Sequence, residues 1–313
     1  MSEMKKVLVT GATGFVGKYL TDLLAEKNLE VHGTSLEEGA SNRKKIIHKL
    51  DLKDENQVSK LISTLKPDMI FHLAALTSPK DSFKNPKETF INNIGAEINI
   101  LEALKNQKLK SRIIIISSAE IYGMVDPSDL PIDEDTPLNP TNPYAVSKLA
   151  QDFLALQYHL AHKLDVVRLR PFNHTGPGQS PNFVIPAFAK KIAEIEKGKL
   201  DKLTVGNLEG KRDFTDVRDM AKAYEMASEM GRTGEVYNIG SGKSYKIGEI
   251  LDKLLSLSTV KIKVEQDPTL FMPLDNPELV CDFSKFASGT GWKPQIPIDQ
   301  TLRETLDYWR SIT

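Results

Sequence analysis

Tyr144 and Lys148 stand four residues apart in the stretch Pro143-Tyr144-Ala145-Val146-Ser147-Lys148. On a helix that spacing puts both side chains on one face, where an ammonium beside a phenol favours the ionised form of the phenol. A phenol tuned in this way exchanges protons with an alcohol or a ketone near neutral pH. Tyr-x-x-x-Lys alone carries little weight, because both residues are common and many such pairs sit on solvated helix faces. Its weight here comes from what precedes it. A glycine-rich turn, Gly11-Ala12-Thr13-Gly14-Phe15-Val16-Gly17, lies far upstream, and Ser117-Ser118 ends an apolar run between the two. A glycine turn, then a serine at a strand end, then tyrosine with lysine is the order expected for hydride chemistry on a dinucleotide.

These groups need a scaffold, and the chain alternates short apolar runs with longer amphipathic ones, the pattern of a parallel sheet covered by helices on both faces. Strands are expected at 7–10, 30–33, 46–49, 69–72, 112–117 and 165–170, and helices at 14–26, 55–64, 86–106 and 144–162. The fold class expected is α/β, a Rossmann-type doubly wound parallel sheet. After Pro171 the texture changes to a Gly-, Pro- and Asn-rich loop and shorter elements. Residues 1–171 are therefore expected to form the dinucleotide-binding domain. Residues 172–313 are expected to form mainly a smaller substrate-binding region, interleaved with the first.

In such a fold the first glycine turn lets the backbone approach a pyrophosphate, which rests on the amino end of the following helix. Gly11, Thr13, Gly14, Phe15 and Val16 are the expected contacts, and a purely structural tight turn is the alternative. The second strand ends at Gly33-Thr34-Ser35-Leu36, where a fold preferring NAD carries an acid for the ribose hydroxyls. Thr34 and Ser35 are instead able to donate to a 2′-phosphate, with Arg43, Lys44 and Lys45 following in a loop. NADP(H) is favoured and NAD(H) remains possible; Glu37 and Glu38 speak against the phosphate, and a solvated basic loop is the alternative.

The chain has 313 residues and a formal net charge of -1, so it offers no basic field for nucleic acid. Cys281 is the only cysteine, and the six histidines have neither cysteine partners nor HExxH spacing; no metal is expected. No signal-like segment precedes the first strand and no apolar run reaches the length of a membrane span, so a cytoplasmic protein without a membrane partner is expected.

Over nearly its whole length the sequence resembles the extended short-chain dehydrogenases/reductases that act on nucleotide sugars. The likeness is carried by the first glycine turn, Asp51-Leu52, His72-Leu73-Ala74-Ala75, Asn93, Ser117-Ser118, Tyr144 with Lys148, and Arg170-Pro171-Phe172-Asn173. The resemblance implies that Asp51 and Leu52 border the adenine and that Leu73, Ala74, Ala75 and Phe172 line the dinucleotide cleft. It puts Asn93 on a flanking helix. Small core residues at 74 and 75 and an ordinary helix-surface amide at 93 are the alternatives.

Val205-Gly206-Asn207-Leu208, Arg212-Asp213-Phe214, Asp219, Asn173-His174-Thr175-Gly176-Pro177-Gly178-Gln179 and Phe183-Val184 resemble the branch that handles GDP-hexoses. That likeness implies that Asn173 and Arg212 hold the pyrophosphate, that Val184 and Asn207 lie near the nucleotide, and that Asp275 accepts ribose hydroxyls. A surface salt bridge to Glu209 or Asp213 is the alternative for Arg212. Met272 stands where the family commonly has an arginine before the proline, here Pro273. His174 is expected to shape its loop.

The activity implied is NADPH-dependent reduction of the C4 ketone of GDP-4-keto-6-deoxy-D-mannose to GDP-D-rhamnose. Tyr144 gives the proton, Lys148 holds the nicotinamide ribose and lowers the phenol's pKa, and Ser118 hydrogen-bonds the carbonyl oxygen. Ser118, Glu120 and Tyr144 would all touch the sugar, Glu120 sitting where the family's 4,6-dehydratases keep an acid. A 4,6-dehydratase, a 4-epimerase and a non-catalytic dinucleotide sensor are the other function classes. A homodimer through residues 86–106 and 144–162 is implied as well.

Overall fold

The computed structural model describes residues 4–39, 41, 45–271 and 277–313. Arg43, Lys44, Met272, Pro273 and Asp275 lie outside the described residues. The first half runs β1 (Lys5–Thr10), α1 (Phe15–Ala25), β2 (Leu29–Ser35), β3 (Lys45–Lys49), α2 (Glu55–Leu65), β4 (Met69–His72), α3 (Pro79–Lys84), α4 (Pro86–Asn106), β5 (Arg112–Ile116), α5 (Pro143–His162) and β6 (Asp165–Pro171). It continues with β7 (Asn173–Thr175), α6 (Val184–Glu196), β8 (Lys202–Val205), β9 (Lys211–Asp216), α7 (Val217–Met230), β10 (Val236–Ile239), β11 (Ser244–Lys246), α8 (Ile247–Ser256), β12 (Lys263–Gln266), β13 (Glu278–Leu279), α9 (Ser284–Thr290) and α10 (Ile298–Ile312).

Seven strands form one parallel sheet in the order β10-β6-β5-β4-β1-β2-β3. Strands buried on both faces read as near-continuous apolar runs, and Arg112-Ile113-Ile114-Ile115-Ile116 is one. Alternate side chains go to opposite faces. Leu8, Ile70, Ile113, Ile115 and Val166 pack with Ile62 of α2 and Ile100 of α4, while Val7, Val9, Phe71, Ile114 and Val167 pack with Leu20 of α1 and Met220 of α7. Each such buried side chain contributes roughly 1.5–3 kcal/mol.

From β1 the chain moves outward to β2 and β3, then returns to place β4 on the other side of β1. The crevice at the carboxyl ends of β1 and β4 is therefore the topological switch point, where open α/β sheets bind ligands. The elements beyond it form a four-stranded sheet containing β11, β9, β13 and β7, and the pair β12–β8. Among them α6, α8 and α10 bury Ile192, Ile250, Leu254, Leu302 and Leu306 in a separate core. Among the described residues no helix is long and apolar enough to cross a membrane. Nor does any group of three or more His, Cys, Asp or Glu there have the placement to hold a metal ion.

Candidate active site

The glycine turn is fixed by contacts that tolerate no side chain. Gly11 has φ +67°, and a Cβ on it would meet the Ala74 backbone at 3.0 Å. A Cβ on Gly17 would come within 2.2 Å of the Gly11 carbonyl oxygen, and one on Gly33 within 2.3 Å of Ala12 Cβ. The turn thus lies flat on the ends of β2 and β4. Helix α1 starts at Gly14 with no side-chain cap and no acid in its first turn. Its free N–H groups face a cleft of about 380 Å³ lined by Gly11, Gly14, Phe15 and Val16. Uncapped donors and the positive end of the helix dipole suit a pyrophosphate, so the residues present fit a dinucleotide.

The same cleft is lined by Leu73, Ala74 and Ala75 after β4, by Ser118 and Glu120 after β5, by Tyr144 and Lys148 on α5, and by Phe172 and Asn173 after β6. Residues that sequence reasoning placed far apart along the chain are here one surface. Asn142 starts α5 by accepting from Ala145 N–H at 2.8 Å, and its amide donates to Glu120 Oε2 at 3.3 Å. Ser82 takes the Tyr144 N–H at 3.1 Å, and Ser117 donates to the Lys148 carbonyl at 3.2 Å. Tyr144 and Lys148 are thereby locked to α3 and to the end of β5.

The electrostatics differ from the expected pairing of ammonium and phenol. Lys148 Nζ donates to the Ile116 carbonyl at 2.7 Å. Burial dominates the Tyr144 phenol and raises its pKa; the neighbouring Ser118 hydroxyl opposes the rise and the Glu120 carboxylate adds to it. Lys148 is itself pushed down by burial, with Glu97 of α4 pulling it back up. The lysine thus answers to β5 and α4, and the phenol chiefly to burial and then to Ser118. One helix face predicts which side chains are neighbours but not which carbonyl a long lysine reaches.

Asn93 is completely buried, which excludes an ordinary surface amide. It accepts from Leu76 N–H at 2.8 Å, donates to Leu76 O at 3.1 Å and to Ser147 Oγ at 2.9 Å, clamping the loop after Ala75 onto α5. At the end of β2 the two hydroxyls part company. Thr34 is buried, whereas Ser35 pairs with Thr13 across 3.0 Å at the surface. Lys45 opens β3 instead of belonging to a loop, and its ammonium pairs with Asp22 of α1. Asp51 accepts from Lys53 N–H at 2.9 Å, and Leu52 is buried in the core beneath α2 and α4.

On the substrate side the grouping is looser. Val184 begins α6 outside the cleft lining, while the preceding Phe183 lines it. Asn207 accepts from Glu209 N–H at 2.9 Å, and Arg212 Nη1 donates to Lys211 O at 2.8 Å; neither lines the cleft. Glu209 pairs with Lys246, and the Asp213 carboxylate takes the N–H groups of Ser241, Gly242 and Cys281. His174 is held through Nδ1 by the Phe172 carbonyl at 3.1 Å and stacks on Phe15, and burial lowers its pKa. The sequence did not point to Gln179, Phe183 or Tyr224 as lining residues. Tyr224 comes from α7, from which the sequence reading singled out only Asp219.

Residues 8–305 match the model of the family described as GDP-mannose 4,6 dehydratase. A GDP-6-deoxy-D-mannose reductase of Pseudomonas aeruginosa is 36% identical over 98% of each chain. A GDP-mannose 4,6-dehydratase of Yersinia enterocolitica is 27% identical over 96% of this chain and 92% of its own. Among solved structures, RMD from Pseudomonas aeruginosa complexed with NADPH superimposes with a TM-score of 0.87 at 35% identity, covering 99% of this chain and 100% of that one. The Thermus thermophilus UDP-glucose 4-epimerase complex with NAD gives a TM-score of 0.89 at 27% identity, covering 98% and 100%. The chain that sets this glycine turn at the switch point, with a serine, a tyrosine and a lysine beside it, thus belongs to the GDP-mannose 4,6 dehydratase family of extended short-chain dehydrogenases/reductases.

Proposed function

We propose that this enzyme reduces the C4 ketone of GDP-4-keto-6-deoxy-D-mannose to give GDP-D-rhamnose, using NADPH. The observation that carries it is one cleft in which Ser118, Tyr144 and Lys148 meet the glycine turn, in a chain matching a GDP-6-deoxy-D-mannose reductase from end to end. NADPH, when bound, supplies the hydride. Tyr144 holds a proton at its phenol oxygen and delivers it to the C4 oxygen as negative charge grows there. Ser118 directs its hydroxyl at the same oxygen, a preorganised dipole of the kind that contributes several kcal/mol. Lys148 holds the nicotinamide ribose, and Ser35 with Thr13 meets the 2′-phosphate. Asn173 and Arg212 take the substrate pyrophosphate, where a guanidinium fork makes paired charge-assisted bonds. The part after residue 171 supplies this nucleotide-sugar side.

One feature favours a dehydratase instead: the Glu120 carboxylate acts on the Tyr144 phenol. Removal of water across C5 and C6 needs a further acid and base, however, and the neighbouring Ala119 carries no proton. Offered GDP-mannose without added cofactor, the protein is expected to form no keto sugar; accumulation of one makes it a lyase.

The homodimer is proposed through α4 and α5. Ile91 and Ile98, seven apart on α4, and Val146, Phe153 and Leu160, seven apart on α5, form two exposed apolar stripes on adjacent helices. Light scattering should give twice the chain mass, falling to one chain in Phe153→Lys; a monomeric wild type contradicts it.

A further inference from the structure

Glu97 sits on α4 with no solvent exposure, and both its carboxylate oxygens lack a hydrogen-bond partner among the described residues. A buried polar group left in this state calls for a cause. Its neighbours lie on α5, the helix of Tyr144 and Lys148. Gln151, three residues beyond Lys148, lies against Glu97. Gln151 Nε2 donates to the Asn93 carbonyl at 2.9 Å, which fixes the amide, and its Oε1 has no partner among the described residues. Gln151 favours the Glu97 carboxylate, but its amide N–H groups are directed at the Asn93 carbonyl and, at 3.4 Å, at His72 Nε2, so Glu97 Oε1, Glu97 Oε2 and Gln151 Oε1 are three buried acceptors with no bonded donor among the described residues. A single proton remedies this, because a carboxylic acid donates where a carboxylate only accepts.

The charged and titratable groups around Glu97 define what that proton does. Lys148 favours the carboxylate and Asp152 opposes it, both from α5, while Tyr158 of the same helix also feels Glu97. From β4, His72 lies 3.4 Å from Gln151 Nε2 and is held by Thr10 through Nδ1 at 2.9 Å. Burial and the Lys148 charge push its pKa down to about 3, so His72 stays neutral and is no proton source.

We propose that Glu97 is a positioning residue for Lys148: a buried carboxylic acid, neutral in the resting protein, that shares a proton with the lysine beneath the cleft. As the pH rises, the first proton lost to solvent leaves from the pair, and its loss makes a carboxylate available at Glu97. The carboxylate so formed holds the ammonium of Lys148 in place, so the pair titrates as one unit. The protonation rests on packing alone. Its consequence for cofactor rests on the assignment of Lys148 to the nicotinamide ribose.

Infrared spectroscopy of the protein without substrate or cofactor tests the first part. At pH 7 a carboxylic-acid C=O band is expected that disappears in Glu97→Gln and in Glu97→Thr, two variants serving so that misfolding of one leaves the other readable. Both substitutions leave the other carboxyls in place, including Asp213, Glu134 and Asp219, whose pKa values burial also raises, so any band they contribute persists in both variants. NADPH titrations across pH test the second part. The alkaline loss of affinity should move to lower pH by about one unit in both variants, the scale of one nearby opposite charge. A band that survives both substitutions, or an alkaline limb that stays in place, overturns the proposal. A protein that shows the band but binds no NADPH at any pH overturns the positioning role through failure of the cofactor assignment, a result distinct from a missing band.

Discussion

On one wall of the cleft, made by the ends of β1, β4 and β5 with α5, the groups are tied to regular elements and closed to solvent. Asn93, Ser147, Gln151 and Lys148 are all buried, and each hydrogen-bonds to backbone. The opposite wall, within residues 172–183, is mostly loop, and the turn between β8 and β9 lies beyond the cleft lining. Asn173 in the three-residue β7, Asn207 in that turn and Arg212 near the start of β9 are all partly exposed. Packing on the first wall fixes the position of proton-transferring groups to within rotamer precision, whereas loops on the second can change ligand without disturbing that chemistry. The first wall should therefore govern the chemical step and the second should govern affinity.

Substitutions can break that division. The largest effect is expected from Tyr144→Phe, which removes only a hydroxyl from the packed wall. It should lower kcat by about 10²–10⁴-fold with NADPH affinity nearly unchanged. A variant that keeps more than a tenth of the wild-type rate removes Tyr144 from the proton-donor role. Arg212→Ala on the substrate side should act in the opposite sense, raising KM with kcat little changed. Loss of a hydrogen bond to a charged group is worth roughly 1.5–3 kcal/mol, or about tenfold or more in KM. A fall in kcat of that size with KM unaltered would erase the distinction between the walls. The smallest effect belongs to the solvated edge at Ser35. Ser35→Asp brings a carboxylate toward the 2′-phosphate and should shift preference toward NADH by about 1 kcal/mol per charge pair. Competition titrations of the two cofactors measure it, and a wild type that strongly prefers NADH contradicts the NADPH assignment.

The packed wall was also the more legible one in the sequence. The apolar run expected at 69–72 is β4 to the residue, and that expected at 112–117 is β5 with Ser117 just past its end. Isoleucine and valine runs bounded by turns leave little choice when both faces are buried. What escaped was three-dimensional. Helical spacing placed Lys148 beside Tyr144 but could not show that Nζ reaches the Ile116 carbonyl, because that carbonyl belongs to another element. Alternation along β2 separates buried Thr34 from surface Ser35, since adjacent strand residues face opposite ways. Glu97 gave no sign, because an acid in a polar-looking stretch of α4 reads as surface until α5 is laid across it. Tyr224 and Phe183 enter the cleft from elements whose positions depend on long-range packing.

Net reduction is tested most directly by the ratio of NADPH oxidised to GDP-6-deoxyhexose formed from GDP-4-keto-6-deoxymannose. One hydride per ketone predicts a steady loss of NADPH absorbance in about a one-to-one ratio with product, the product chromatographing as GDP-D-rhamnose. Turnover of the sugar nucleotide with no loss of NADPH, the hydride returning to the cofactor within each cycle, would contradict the account.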